Sequence, residues 1–248
     1  MMFIAPFLWV VFVVGGLRET RQAFQEITYR FHRWYVKMLE QIVTPLRFIF
    51  IPPHNPIEIQ GPAIIISNHS SVVDLLLMMS VVGKCSIVGK KTMAWIPLFG
   101  LALKLMGMIF VDRRRRFEAQ DVFYRIKERL AGGEKVLIFP QGSRRLEWNR
   151  RNVKRGIFKV AMEMKTPIVP VAISGTGYIL KKGQFFFDIG KPLKVLVNIF
   201  PPVNPQGNPE NAQDVIVLRN SVVDMVDNCL DAQRDLRREG LSQHAGSL

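Results

Sequence analysis

The stretch Asn68-His69-Ser70-Ser71-Val72-Val73-Asp74 sets an imidazole five residues before a carboxylate. Inside one helix that spacing would place them on different faces, because a turn takes about 3.6 residues. The two meet only if His69 stands just outside a helix and Asp74 just inside it. The flanks meet that condition. Ala63-Ile64-Ile65-Ile66-Ser67 is short, apolar and β-branched, as in a buried strand. Ser70-Ser71 is helix-capping chemistry, and Val72 to Ser80 continues apolar and helix-like. An Asp bound to one ring nitrogen fixes the tautomer and leaves the other nitrogen as a base. No Ser or Cys nucleophile is paired with the dyad, so the chemistry it suggests is direct attack by a substrate hydroxyl. The competing reading is a surface hydrogen-bonded pair or a helix cap.

Two further strand ends carry polar residues. Gly107-Met108-Ile109-Phe110-Val111 runs into Asp112-Arg113, and Val136-Leu137-Ile138-Phe139 runs into Pro140-Gln141-Gly142-Ser143-Arg144. Ligands bind at such strand ends in α/β sheets. Arg113 and Arg144 each suit a bidentate phosphate clamp. Gly142 and Ser143 offer backbone amides and a hydroxyl to the same anion. A fourth run, Pro167 to Gly175, is apolar apart from its end and suits a pocket wall or the core.

The elements that must position these residues alternate. Strands are expected at 57–60, 63–67, 85–89, 107–112, 135–139, 167–173, 184–190 and 193–199. Helices are expected at 71–82, 97–106, 117–131, 155–164 and 211–234, with 235–248 as a tail. The alternation predicts an α/β fold with a mostly parallel, mixed sheet flanked by helices. The two late strands suggest an antiparallel hairpin at one edge.

The 248 residues are ample for one core. A net charge of +14 points to an anionic partner. Cys85 and Cys229 show neither metal spacing nor a disulfide framework, as suits a reducing compartment, and the four scattered histidines make no metal site. Met1 to Leu17 is uncharged and lacks the basic start of a signal peptide. It is also shorter than the roughly 20 residues of a spanning helix. It reads as a membrane anchor, with a buried core helix as the plain alternative. Residues 19 to about 50 mix aromatics with Arg and Lys, as a membrane-surface helix does. The expected division is therefore 1–52 as N-terminal membrane-anchoring helices and 53–248 as the globular domain. Basic residues after the apolar stretch place that domain on the cytoplasmic side.

The ordered set of blocks resembles the glycerolipid acyltransferase family, in particular the 1-acylglycerol-3-phosphate (lysophosphatidic acid) acyltransferases. Its Asn-His-x4-Asp motif matches Asn68, His69 and Asp74, and its Gly-strand-Asp-Arg block matches Gly107 to Arg113. Its Phe-Pro-Glu-Gly-Thr-Arg motif matches Phe139, Pro140, Gly142 and Arg144, with Ser143 for Thr. Its Val-Pro-Val block matches Val169-Pro170-Val171, and Lys154-Arg155-Gly156 resembles the basic-Gly step after the third motif. The resemblance spans roughly residues 60 to 200. One departure stands out: the family carboxylate of the third motif is Gln141 here.

The resemblance implies acyl transfer from acyl-coenzyme A or an acyl carrier protein to the sn-2 hydroxyl of lysophosphatidic acid, in phospholipid biosynthesis. It needs no cofactor or metal. It implies His69 as general base and Asp74 as its orienting partner. Arg113, Gln141, Gly142, Ser143, Arg144 and Asn68 would bind substrate. Amides near Gly142 or the helix after Ser70 are candidates for the oxyanion, and Trp95 to Met108 for the acyl-chain wall or plain core. The implied setting is a phospholipid surface at a bacterial inner membrane, without nucleic acid as a partner. The alternatives are another lysolipid acceptor, such as a lyso-ornithine lipid, or a catalytically weakened, basic membrane- or nucleic-acid-binding homologue because of Gln141.

Overall fold

The computed structural model describes residues 18–42, 46–51, 60–96, 99–112, 118–145, 147–179 and 193–245. The elements, in order, are α1 (Arg18–Ile42), β1 (Leu46–Ile51), β2 (Ala63–Ser67), α2 (Val72–Val82) and β3 (Cys85–Lys90). A 3₁₀ turn (Lys91–Trp95), α3 (Phe99–Leu105), β4 (Ile109–Val111), α4 (Glu118–Ala131) and β5 (Lys135–Ile138) follow. The last are a 3₁₀ turn (Arg150–Asn152), α5 (Gly156–Glu163), β6 (Ile168–Ser174), α6 (Thr176–Ile179), β7 (Leu193–Ile199) and α7 (Ala212–Ala245).

The sheet order is β1-β7-β6-β2-β5-β3-β4. The pairs from β6 to β4 are parallel, β7 runs antiparallel to β6, and β1 pairs parallel with β7. The sheet is thus mixed and mostly parallel. Strand β2 sits at its centre, and its alternation divides the core. Ala63 and Ile65 pack with α2 and α3, while Ile64 and Ile66 pack with α4, α5 and α7. Both faces are covered, which is why β2 is buried at every position and apolar from Ala63 through Ile66 rather than at every second residue.

Three expectations change. Residues 46–51 fall within the expected helical stretch, yet Leu-Arg-Phe-Ile-Phe-Ile forms edge strand β1. Its aromatic and β-branched residues suit a strand better than a helix. The last strand before residue 52 therefore belongs to the sheet and not to an N-terminal helical unit. The antiparallel partner of β7 is β6, and the expected strand 184–190 lies outside the described residues, as does nearly all of 57–60. The C-terminal helix runs past 234 to Ala245, through the expected tail. Met1 to Leu17 also lies outside the described residues. Among those described, no helix is long and apolar enough to cross a membrane.

The first helix keeps Arg30, Arg33 and Lys37 outside but buries several polar side chains. Its buried positions are Gln25, Thr28, His32 and Val36, while Ile27, Phe31 and Trp34 are exposed, Trp34 at 54%. The polar inward face is satisfied locally. Gln25 Nε2 donates to the Met106 carbonyl at 2.9 Å, and His32 Nδ1 lies 2.6 Å from the Thr28 carbonyl. Glu26 reaches Lys84 at 3.5 Å beyond the end of α2.

Burial holds the His32 pKa below its ordinary value, although the Thr28 carbonyl opposes the shift. A depressed His makes the unfolded chain bind its proton first, so folding stability is lost as pH falls below about 6.5. The slope of urea-unfolding free energy between pH 7.5 and pH 5 should therefore be shallower in His32→Gln than in the parent. Equal slopes would remove His32 as the acid-sensitive contact of α1.

Candidate active site

The strand order decides what meets at His69. Strand β2 ends at Ser67, and its neighbours are β6 on one side and β5 on the other. All three are parallel, so the turns after them converge at one end of the sheet. Such carboxyl ends are where α/β sheets bind ligands.

Ser71 is the N-cap of α2, and Asp74 stands at the third helical position. Ser71 Oγ accepts from Val73 N, while Asp74 accepts from the Ser71 amide, completing a capping box. The same carboxylate does more than cap. Asp74 Oδ2 accepts from Ser70 N at 2.6 Å, from Ser71 N at 2.8 Å, and from His69 Nδ1 at 3.0 Å. Asp74 Oδ1 accepts from Thr176 Oγ1, which also lies 2.9 Å from Ser70 Oγ. Asp74 is fully buried, and the negative charge sits at a helix N-terminus, where the dipole favours it. An ionised carboxylate only accepts, so the neutral imidazole of His69 carries its hydrogen on Nδ1 and keeps the lone pair on Nε2. Both readings of the motif therefore hold at once: it is a helix cap and it is a dyad.

The imidazole is fixed on two more sides. The Phe139 ring stacks on it with centroids 4.1 Å apart and planes 20° from parallel. The Arg145 amide donates to the His69 carbonyl at 2.8 Å, tying the turn after β5 to the turn after β2. That turn is closed by Gly142 N–H donating to the Phe139 carbonyl at 2.9 Å. Gly142 then adopts a φ of 72°, which a side-chain-bearing residue tolerates poorly.

Of the expected substrate ligands, Gly142, Ser143 and Arg144 line this turn and are half-buried, with no ion pair to Arg144 among the described residues. Arg113 lies outside the described residues. Gln141 faces sideways: its Nε2 donates to the Asn149 carbonyl at 3.2 Å, and its Oε1 is buried with no hydrogen-bond partner.

Asn68 is placed differently from the expectation. Its Nδ2 donates to the Ile173 carbonyl and its Oδ1 accepts from the Ile173 amide, each at 2.7 Å. It clamps the His69 turn to β6 instead of presenting a free amide to a ligand. The suggested oxyanion donors near Gly142 and after Ser70 narrow. The Gly142, Ser70 and Ser71 amides are all spent on protein acceptors. The stretch 95–108 divides: Ala102, Leu103, Met106 and Met108 are core, whereas Trp95, Ile96 and Leu101 are exposed. Sequence reasoning missed Thr176 and the shelf formed by Phe139. Thr176 follows the polar end of the fourth run by one residue beyond Gly175, which is the one signal it left.

Comparison with known proteins places these features in a family. A family model described as Acyltransferase matches residues 33–174. The mouse protein named 1-acyl-sn-glycerol-3-phosphate acyltransferase alpha is 33% identical over 163 residues, covering 65% of this chain and 56% of its own length. The human beta form is 30% identical over 203 residues, covering 81% of this chain and 68% of its own. The chain spans about half the length of the alpha-type relatives it matches. The crystal structure of the 1-acyl-sn-glycerophosphate (LPA) acyltransferase PlsC from Thermotoga maritima shares the fold, with a TM-score of 0.72. The match has 22% identity and covers 94% of this chain and 89% of that one.

Two substitutions test the geometry. Asn68→Ala strands a buried N–H and C=O of Ile173, which should cost about 2–4 kcal/mol in urea unfolding. A rise in acceptor KM at unchanged stability would instead mark Asn68 as a substrate ligand. Gln141→Glu replaces the donor to Asn149 with a second acceptor, so it should lower stability by about 1–2 kcal/mol. An unchanged unfolding midpoint would show that Gln141 is not a strut.

Proposed function

The chain belongs to the acyltransferase family, and we propose that it transfers a fatty acyl group from a thioester to the sn-2 hydroxyl of lysophosphatidic acid. The products are phosphatidic acid and a free thiol, and the place of the reaction is phospholipid biosynthesis. The observation that carries this reading is the His69 Nδ1–Asp74 contact of 3.0 Å, which turns Nε2 away from the carboxylate at the convergent strand ends.

In this reading His69 Nε2 takes the proton of the substrate hydroxyl as its oxygen attacks the thioester carbonyl. Asp74 steadies the imidazolium without itself taking the proton. When the tetrahedral intermediate collapses, the carbon–sulfur bond breaks and the imidazolium returns its proton to the departing sulfur. No acyl-enzyme forms. Stacking on Phe139 and the Arg145–His69 backbone bond hold the ring at one angle, so little reorganisation remains for the reaction. With Gly142 N occupied, the amides of Ser143 and Arg144 on the same turn are assigned to the oxyanion. Arg144, with Arg113, holds the acceptor phosphate.

A lysophospholipid comes from a bilayer, and α1 offers a face suited to one. Ile27, Phe31 and Trp34 lie outward beside the exposed Arg30, Arg33 and Lys37. Aromatic and basic side chains on one outward face favour an anionic lipid surface. We assign the site to the cytoplasmic face of a membrane on that ground, with acyl-coenzyme A or an acyl carrier protein as donor.

Thiol release from detergent-solubilised protein, given acyl-coenzyme A with and without lysophosphatidic acid, tests the reading. Release should depend on the acceptor and fall about 10³-fold or more in His69→Ala. Full activity in that variant would sink the base assignment. Equal rates on a lysolipid without a phosphomonoester would overturn the acceptor.

A further inference from the structure

A second cationic feature stands on the flank of the catalytic end and has no part in the reaction just described. Arg151, Val153, Lys154, Arg155, Ile216, Arg219 and Asn220 line a cleft of about 640 Å³ between the 150–155 turn and α7. We propose that this cleft seats the phosphate-bearing nucleotide end of the thioester donor, coenzyme A. The proposal rests on the acyl-transfer reading and adds a donor site to it.

The cleft is built, not merely basic. Arg219 Nε donates to the Val153 carbonyl at 2.9 Å, Nη1 donates to Asn220 Oδ1 at 2.7 Å, and Nη2 donates to the Arg150 carbonyl. The guanidinium is therefore immobilised as the floor of the turn. Burial and the neighbouring Arg150 and Arg155 lower its pKa, the mark of cations crowded together. Gly156 fixes the next step of the chain. A Cβ there would lie 2.2 Å from the Phe123 ring, so α5 can begin this close to α4 only with glycine.

Charge is distributed selectively. Arg150 is neutralised by Asp224 at 2.7 Å and Asp227 at 3.5 Å. Arg151, Lys154 and Arg155 are exposed and form no ion pair among the described residues. A concavity with unpaired cations over an immobilised guanidinium concentrates positive potential. Its volume falls in the range of small-molecule sites, roughly 300–1,000 Å³. A concave site of this size suits a nucleotide bearing several phosphates better than the convex surface of an acidic protein.

The cleft is also wired to the catalytic turn. Asn149 Oδ1 accepts from the Arg151 amide, and the Asn149 carbonyl accepts from Gln141. Three residues past Gly142, Arg145 bonds to the His69 backbone. The cleft's turn and the turn that bonds to His69 therefore belong to one hydrogen-bonded loop.

The test uses the full chain and the triple variant Arg151→Gln/Lys154→Gln/Arg155→Gln, whose exposed positions leave the core intact. Coenzyme A itself is titrated calorimetrically, and KM is measured for an acyl-coenzyme A, for the same acyl group on pantetheine, and for lysophosphatidic acid. The triple variant should weaken coenzyme A binding and raise the acyl-coenzyme A KM by about tenfold or more. The other two KM values should hold within about twofold. Unchanged coenzyme A affinity overturns the proposal. So does a loss confined to an acyl carrier protein donor, which would make the cleft a protein-docking site. A parallel rise in the lysophosphatidic acid KM overturns it in favour of a lipid-phosphate site. If no donor supports transfer by the parent, the acyl-transfer reading fails. The coenzyme A affinities of parent and variant still decide the cleft by themselves.

Discussion

A buried carboxylate holds the converging strand ends of this molecule together. Taking an ionised Asp out of water costs several kcal/mol unless its lone pairs are filled. Asp74 fills them with His69 Nδ1, two consecutive backbone amides and the Thr176 hydroxyl. Each donor comes from a piece of chain that must then stay where it is. The two amides hold the first turn of α2. Thr176 holds the start of the segment after β6. His69 is held by the carboxylate and in return supplies part of its solvation. A change that frees one donor leaves the others around an under-solvated charge, so the dyad and the local fold share one stability.

That constraint works only because of where β2 lies. As the central strand, with β6 and β5 parallel on either side, it delivers His69 to a place where two other strand ends arrive. The β6 side contributes Thr176 and, through Ile173, the backbone clamp on Asn68. The β5 side contributes the Phe139 shelf and the Arg145 amide. A hairpin-built sheet would send neighbouring strand ends to opposite edges and leave the imidazole with support from one side only. The long crossovers of a parallel sheet are what allow residues about 105 apart in sequence to be bonded directly.

The sequence was legible where its signals are local. The start of α2 and the meeting of His69 with Asp74 follow from a capping pair and a five-residue spacing. Apolar runs located β2, β5 and β6 to within a residue or two because a doubly covered strand is apolar nearly throughout, and β3 and β7 to the same margin although Ser86, Lys194 and Asn198 interrupt them. Legibility failed where the decisive partner is remote. Asn68 sits inside a chemically suggestive motif, yet its amide is committed to Ile173, a contact no spacing announces. Thr176 acts on a carboxylate 102 residues earlier. Strand β1 was hidden by position: six strand-like residues follow a long helix and pair with β7 from far along the chain. In α1 Arg30, Arg33 and Lys37 face outward, while Gln25 and His32 face inward because they find carbonyl partners there.

Net charge gives a last measure of how function and stability divide. A chain at +14 has too few carboxylates to pair every cation, so where pairing occurs is informative. Arg125, Lys127 and Lys159 on the α4–α5 flank are each matched to an acidic residue, as is Arg150 beside α7. Among the described residues Arg144, Arg151, Lys154 and Arg155 have no such partner, and all four lie on the loop that leaves β5 and returns into α5. Gln141 stands in that same loop, between the catalytic turn and the cleft. A carboxylate at this position would lower the positive potential on both sides of it. The neutral amide adds no negative charge to a loop that already holds Glu147, and it spends its donor on Asn149.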